Sequence, residues 1–369
     1  MLVYFHIDEL ARDAVVASAL KHEVERAGGR VVYGNRFITD YFLRHWNIFD
    51  VIILPSLLHY FGAFPDSTTL PSSVFILQTE AIGQATGTLK RLNGKYFGDD
   101  SEKYKPWHRS VLGYLLWGQA HLNPFNDCYP EYLNKCRVVG HPRLSKLCMR
   151  PEVTNPNDKP VVGFVSRFNL LSPFDARTPF ESAANSMRFG KIVMPQYEGS
   201  GNKDVEDMFY TEVIDFRIML QIMMTLDPEK YSLSVRPHPR ENRVGWKRLA
   251  RKLGLKIKVS EWDVPFSHWL QGLDYIITPP STGLYDIFFH GKKPIVIDRI
   301  VPSRSEHTLA QSDDNNQILD GVCRPKSIEE VIQLLKSGNI GHDDENVNLR
   351  LQEQVGADIA GNSIANIVQ

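Results

Sequence analysis

Long apolar runs are missing from this 369-residue chain, and none approaches the roughly 18 residues that a membrane-spanning helix requires. Its opening, MLVYFHIDELARD, is apolar for only a few residues before charges appear, so neither a leader nor an anchor is expected there. An excess of one charge is missing too: 42 Lys and Arg stand against 43 Asp and Glu. That balance offers no overall attraction to nucleic acid, and any basic function must be local. Cysteine is scarce. Cys128, Cys136, Cys148 and Cys323 form no CxxC pair and fall at no zinc-ligand spacing, which suits buried thiols in a reducing cytoplasm. GxxxxGK[ST], HExxH and GxSxG are absent, and no DxD-like pair follows a strand. No metal and no tightly bound cofactor is expected.

What is present is ordinary globular composition, 43% hydrophobic and 23% charged, at a length that favours two domains. LVYFHI reads as a strand, the following DELARDAVVASALKHEVERAGG as a helix stopped by Gly-Gly, and RVVYG as a second strand. This β-α-β opening predicts a parallel sheet covered by helices. DVIILPS and SVFILQTE are further strands ending on polar loops. Residues 148–160, CMRPEVTNPNDKP, lack periodicity and read as a linker. VVGFVS then restarts the alternation, with a helix from about Asp204 to Leu226 and strand–helix pairs as far as KPIVID. The expected architecture is α/β, two Rossmann-like domains facing a central cleft. Residues 1–150 are expected to form the first domain and residues 160–340 the second, with the tail 341–369 packing back on the first.

The richest stretch is RPHPREN, residues 236–242, directly after the strand YSLSV. Its prolines fix the backbone around Arg236 and His238. A guanidinium can grip a phosphate in bidentate fashion, and an imidazole can donate to a phosphate or ribose oxygen. The same turn would also serve as a rigid loop with a packed His and a solvated Arg. In TPPSTG, Ser281 and Thr282 offer hydroxyls at a helix start and Gly283 permits close backbone approach, which suits an anion or an ordinary cap. VSRFN carries Ser166, Arg167 and Asn169 after the first strand of the second half, where Arg167 could offset leaving-group charge. On the first half, Glu80 in ILQTEAIG is the candidate catalytic carboxylate, with Asp8, Glu9 and Arg12 behind it. His141-Pro142-Arg143 reads as structural. The basic helix GWKRLARKLG reads as a solvated face, with an anionic lipid surface as the alternative.

Taken in order, ELARDAVVASALKHEVERAGGRVVYG, VFILQTEAIG, VLGYLLWGQAH, VVGHPRLSKL, VGFVSRFN, SVRPHPREN and STGLYDIFFHGKKPIVID resemble bacterial surface-carbohydrate biosynthesis proteins. These are GT-B glycosyltransferases related in style to capsule-type Kdo transferases and CDP-glycerol glycerophosphotransferases. The resemblance spans roughly residues 8–298. It implies a GT-B-like fold with residues 1–150 on the acceptor side and residues 160–340 holding the nucleotide donor. It also implies a nucleotide-sugar donor as co-substrate, CMP-Kdo being favoured, and a glycan or glycolipid acceptor in surface polysaccharide or lipopolysaccharide assembly. It assigns Arg236, His238, Ser281 and Thr282 to donor binding, with His238 also assisting catalysis, and places the work at the inner face of the inner membrane. Two motifs depart from the pattern: QTEAIG keeps only Glu80 of an acidic pair, and GHPRLS has Ser145 where the family carries an acid. Transfer from a CDP-polyol, nucleotide-sugar 2-epimerisation and non-catalytic binding are the alternative readings, and the oligomeric state is left open.

Overall fold

A computed structural model describes residues 1–7, 10–45, 48–55, 73–77, 108–148, 159–179, 181, 201–301, 317–319 and 321–369. The chain divides into two compact units, Met1–Arg150 with Asn348–Gln369, and Pro151–Val347.

In the first unit, β1 (Leu2–His6), α1 (Leu10–Arg26) and β2 (Arg30–Gly34) follow the hydrophobic periodicity of the opening. Next come α2 (Arg36–His45), β3 (Val51–Leu54), β4 (Val74–Leu77), β5 (Val111–Leu116), α3 (Asn123–Cys128) and β6 (Cys136–Val138). The strands form a parallel sheet in the order β2-β1-β3-β4-β5-β6. Strand side chains alternate between faces, so this sheet has two cores. Val3 and Phe5 pack on one face with Val16, Leu20 and Val24 of α1. Tyr4, Ile52, Leu54 and Tyr114 pack on the other with Phe125 and Tyr132.

The second unit runs β7 (Val161–Val165), α4 (Gly201–Thr225), β8 (Ser232–Arg236), α5 (Arg243–Leu253), β9 (Ile257–Val259) and α6 (Phe266–Gln271). It continues with β10 (Tyr275–Thr278), α7 (Gly283–Phe289), β11 (Pro294–Val296) and α8 (Ile328–Ser337). Its sheet is parallel, in the order β11-β10-β7-β8-β9. Val162, Phe164, Val235, Ile277 and Ile295 bury one face against Ile218 and Ile222 of α4, Trp246 of α5 and Val331 of α8. The chain leaves central β7 for β8 and β9 on one side, then crosses to β10 and β11 on the other. The direction therefore reverses between β7 and β10, and a crevice opens beyond the carboxyl ends of those two strands.

The last helices are α9 (Asp344–Val355), α10 (Ala357–Ala360) and α11 (Ser363–Val368). Residues from 348 onward are stitched to the end of β6. His141 N donates to Val355 O at 2.9 Å, Lys146 N to Gly361 O at 2.9 Å and Ser363 Oγ to Gly140 O at 2.8 Å. His121 Nε2 meets Gln354 O at 2.9 Å. The His141–Pro142 pair starts a single helical turn, with Nδ1 accepting from Arg143 N and the ring 3.8 Å from that of Trp117. It is one wall of this seam.

Candidate functional site

Strand register brings three of the singled-out loops to one sheet edge. Val165 pairs with Arg236, so Ser166 and Arg167 leave β7 beside Pro237 and His238 leaving β8. Phe164 pairs with Ile277, which sets Pro279 to Thr282 on the other side of the β7 loop. Arg167 spans the direction reversal, its Nη1 donating to Pro280 O at 2.8 Å. The β7 and β10 loops thus join across the crevice that the sheet order creates.

Beneath the β7 loop lies a buried carboxylate that the sequence motifs did not single out. Glu241 is fully buried and accepts from Ser166 Oγ at 2.6 Å, from Trp246 Nε1 at 3.0 Å and from Phe168 N. One residue therefore binds the β7 loop, the RPHP turn and the first turn of α5. Burial pushes its carboxyl up from the usual range, opposed by these hydrogen bonds. The stretch RPHPREN turns sharply because its own glutamate reaches back under the neighbouring loop. Its Asn242 then caps α5, accepting from Val244 N and Gly245 N.

His238 is half-buried, and its Nδ1 accepts from Arg240 N at 3.2 Å. With Nδ1 accepting, the neutral ring carries its proton on Nε2. Arg236 corrects the expectation that it grips a phosphate. Its side chain is buried, and Nη1 donates to Ser260 Oγ at 2.7 Å and to Glu261 O at 3.2 Å. Burial, with Arg243 nearby, lowers its pKa to about 10. Arg236 is a strut between β8 and the loop after β9.

Ser281 and Thr282 lie in the β10 loop, both half-buried. Thr282 is already helical (φ −63°, ψ −17°) and makes no capping hydrogen bond, and α7 is only seven residues long, so the expected capped helix start does not form. Ser281 Oγ is buried with no hydrogen-bond partner among the described residues. A Cβ on Gly283 would stand 3.3 Å from that oxygen and 3.5 Å from the Phe266 ring, so a side chain there would crowd Ser281. Glu80, Asp8 and Glu9 lie outside the described residues, as does the Arg12 side chain.

A second acid holds the far end of the β7 loop. Glu212 on α4 accepts from Leu170 N at 2.9 Å and Leu171 N at 3.1 Å through Oε2. Burial raises its pKa to about 7. The folded chain holds this proton more tightly than the unfolded chain, so the stabilisation is full below about 4.5 and is lost as pH rises through about 7. Glu212→Gln keeps an acceptor oxygen and removes the charge. It is expected to raise the melting temperature at pH 8 relative to the parent, a difference on the order of 3 kcal/mol at most, and to lose that advantage near pH 4.5. Thermal melts of both proteins across this range check it. A gain independent of pH would show that Glu212 does not titrate there.

No protein-family model matches the chain, and no curated protein matches it in sequence. Solved structures match in fold. The wall teichoic acid polymerase TagF aligns with a TM-score of 0.57 and 12% identity, over 100% of this chain and 87% of that one. A UDP-N-acetylglucosamine 2-epimerase homologue from Listeria monocytogenes aligns at 0.53 and 11%, over 100% and 94%. MnaA of S. aureus, in a co-structure with UDP, gives the same values. The chain has a two-unit α/β fold of the GT-B-like kind.

Proposed function

We propose that this chain is an enzyme of bacterial surface-carbohydrate assembly that acts on a nucleotide-activated sugar, its second unit holding the nucleotide phosphate over the carboxyl ends of β7, β8 and β10. The observation that carries the reading is the convergence of the Ser166–Arg167 loop, the RPHP turn and the Pro280–Thr282 loop at the direction reversal of the sheet. Open α/β sheets bind ligands at that point. The nucleotide ligands of two fold neighbours, UDP with MnaA and CDPG with TagF, support the same ligand class.

The reaction we favour is glycosyl transfer to a glycan or glycolipid hydroxyl, with CMP-Kdo as donor. The acceptor oxygen bonds to the anomeric carbon as the bond from that carbon to the phosphate oxygen breaks. Glu80 takes the hydroxyl proton. His238 Nε2–H and Arg167 stabilise the charge that gathers on the departing phosphate. Arg236 acts only by fixing the turn that carries His238. The TagF likeness favours a second reading, transfer of a polyol phosphate from a CDP-polyol.

Thermal stabilisation by CMP, CDP, UDP, GDP and TDP tests the site, because a ligand at a hundred times its Kd adds about 2.7 kcal/mol. A selective rise with cytidine nucleotides is expected. His238→Ala should weaken it about tenfold, the equivalent of one lost hydrogen bond to a charged group. Glu80→Gln should bind the nucleotide normally and turn over poorly. Phosphorus in the acceptor product would select the CDP-polyol reading, and donor conversion without acceptor would select epimerisation. No stabilisation by any nucleotide overturns the proposal.

A further inference from the structure

The chain is almost neutral, yet residues 240–258 carry eight Lys and Arg and one acid, the buried Glu241. The structure turns this sequence bias into a surface. Helix α5 buries Trp246 and Ala250, and the opposite stripe at helical spacing is Val244, Lys247, Arg248, Arg251 and Lys252, all exposed. After the turn at Gly254, the chain enters the outermost strand β9 and exposes Lys256 and Lys258. Among the described residues, Arg248, Lys252, Lys256 and Lys258 have no carboxylate partner. Lys247 pairs with Glu261 at 2.6 Å, which sets Trp262 beside the amino-terminal half of the stripe with 56% of its surface exposed. Lys256 and Lys258 also line a groove of about 1160 Å³.

Two lysines on an edge strand are explained by protection against edge-to-edge pairing. Four more cations on the adjoining helix face, with the acid of the segment turned inward, are not. The geometry points to an interaction surface for an anionic lipid bilayer, made by the exposed stripe of α5, the edge of β9 and Trp262. Cations held by a rigid helix and strand meet headgroup phosphates at little ordering cost, and indole is the side chain suited to the headgroup level. Trp262, Val244 and Leu253 are exposed apolar groups around the cationic stripe, a pairing that a bilayer surface uses and a purely ionic partner does not. The surface shares no residue with the nucleotide loops, so its test stands or falls independently of the proposed reaction.

Co-sedimentation of the full chain with vesicles tests it. Binding is expected to vesicles of phosphatidylcholine and phosphatidylglycerol in equal parts at about 0.1 M salt, to be released near 1 M salt, and to be absent with phosphatidylcholine alone. The variant Arg248→Glu, Arg251→Glu, Lys252→Glu should lower the bound fraction at least about tenfold while melting at the parental temperature. Lys256→Gln with Lys258→Gln, a milder change, should lower it less. Trp262→Ala should weaken binding without altering its salt dependence. Equal binding to phosphatidylcholine, or undiminished binding by the triple variant, overturns the assignment. So does retention on single-stranded DNA without vesicle binding, which would give the surface to nucleic acid.

Discussion

Glu241→Ala is expected to destabilise the second unit by about 3–5 kcal/mol and to weaken nucleotide binding at the same time. The carboxylate is fully buried and receives Ser166 Oγ, Phe168 N and Trp246 Nε1. Alanine strands Phe168 N and Trp246 Nε1 and leaves Ser166 Oγ only its longer bond to Arg236 O at 3.4 Å, and each stranded donor costs about 1–3 kcal/mol. Partial relaxation and water entry lower the sum. Binding falls because the β7 loop and the RPHP turn lose the buried side-chain anchor they share. The backbone bonds Phe174 N to Arg240 O and Asn242 N to Ser172 O still join the two segments, but His238 and Arg167 lose their fixed register with the β10 loop. Glu241→Gln separates charge from acceptor count. Its single amide oxygen serves the backbone N–H or the hydroxyl but not all three donors, which predicts a loss roughly half as large. Denaturant midpoints read the stability and nucleotide-dependent melting reads the site. A parental midpoint for Glu241→Ala would mean that the loops are held by something other than this carboxylate.

The strands around this site were legible because their apolar runs are short, rich in Val and Ile and end on turn residues, and β7, β8, β10 and β11 all fall within the stretches so read. β5 escaped because VLGYLLWG is interrupted by glycine and flows into turns, and β6 because three residues carry no period. Arg236 shows a subtler loss. Read as the first residue of a charged turn, it looks available to a phosphate. Read as the last residue of SLSVR, it belongs to the polar face of an alternating strand, with Ser232 and Ser234, while Leu233 and Val235 face the core. The β8–β9 register then sets it beside Ser260, which it bonds. A one-residue difference in where the strand ends decides between ligand and strut. Glu241 was hidden for a different reason: its donors are 5 to 75 residues distant in the chain, and nothing local marks a glutamate that points inward.

The tail poses the opposite case: ADIAGNSIANIVQ shows a helical period and is expected to pack on the first domain, but nothing in it names the contact that holds it there. Gly140 supplies the missing constraint, and substituting it is expected to free the C-terminal segment. Its φ is +83°, and a Cβ there would stand 2.7 Å from Ala360 Cα and 3.0 Å from Ala360 N. Those are backbone atoms, so no rotamer change relieves the overlap. The segment must move, and with it the bonds His141 N to Val355 O and Ser363 Oγ to Gly140 O. Val355, Ala360 and Ile364 are all fully buried against the first unit, and full exposure of either of the two larger side chains costs about 1.5–3 kcal/mol. Gly28 is the matched control in the same unit, with φ +82° and nothing within 4 Å of where a Cβ would stand. Gly28→Ala should therefore lose only the left-handed backbone penalty of about 1–2 kcal/mol. Gly140→Ala should lose about 2.5–5 kcal/mol, the same backbone penalty with the exposure of one buried side chain added, and open residues 348–369 to limited proteolysis. If the two variants lose stability equally and the tail stays protected, close packing of α10 on the end of β6 contributes nothing beyond the dihedral angle. If Gly140→Ala alone loosens the tail, the return of the chain to its first unit depends on a contact that only glycine permits.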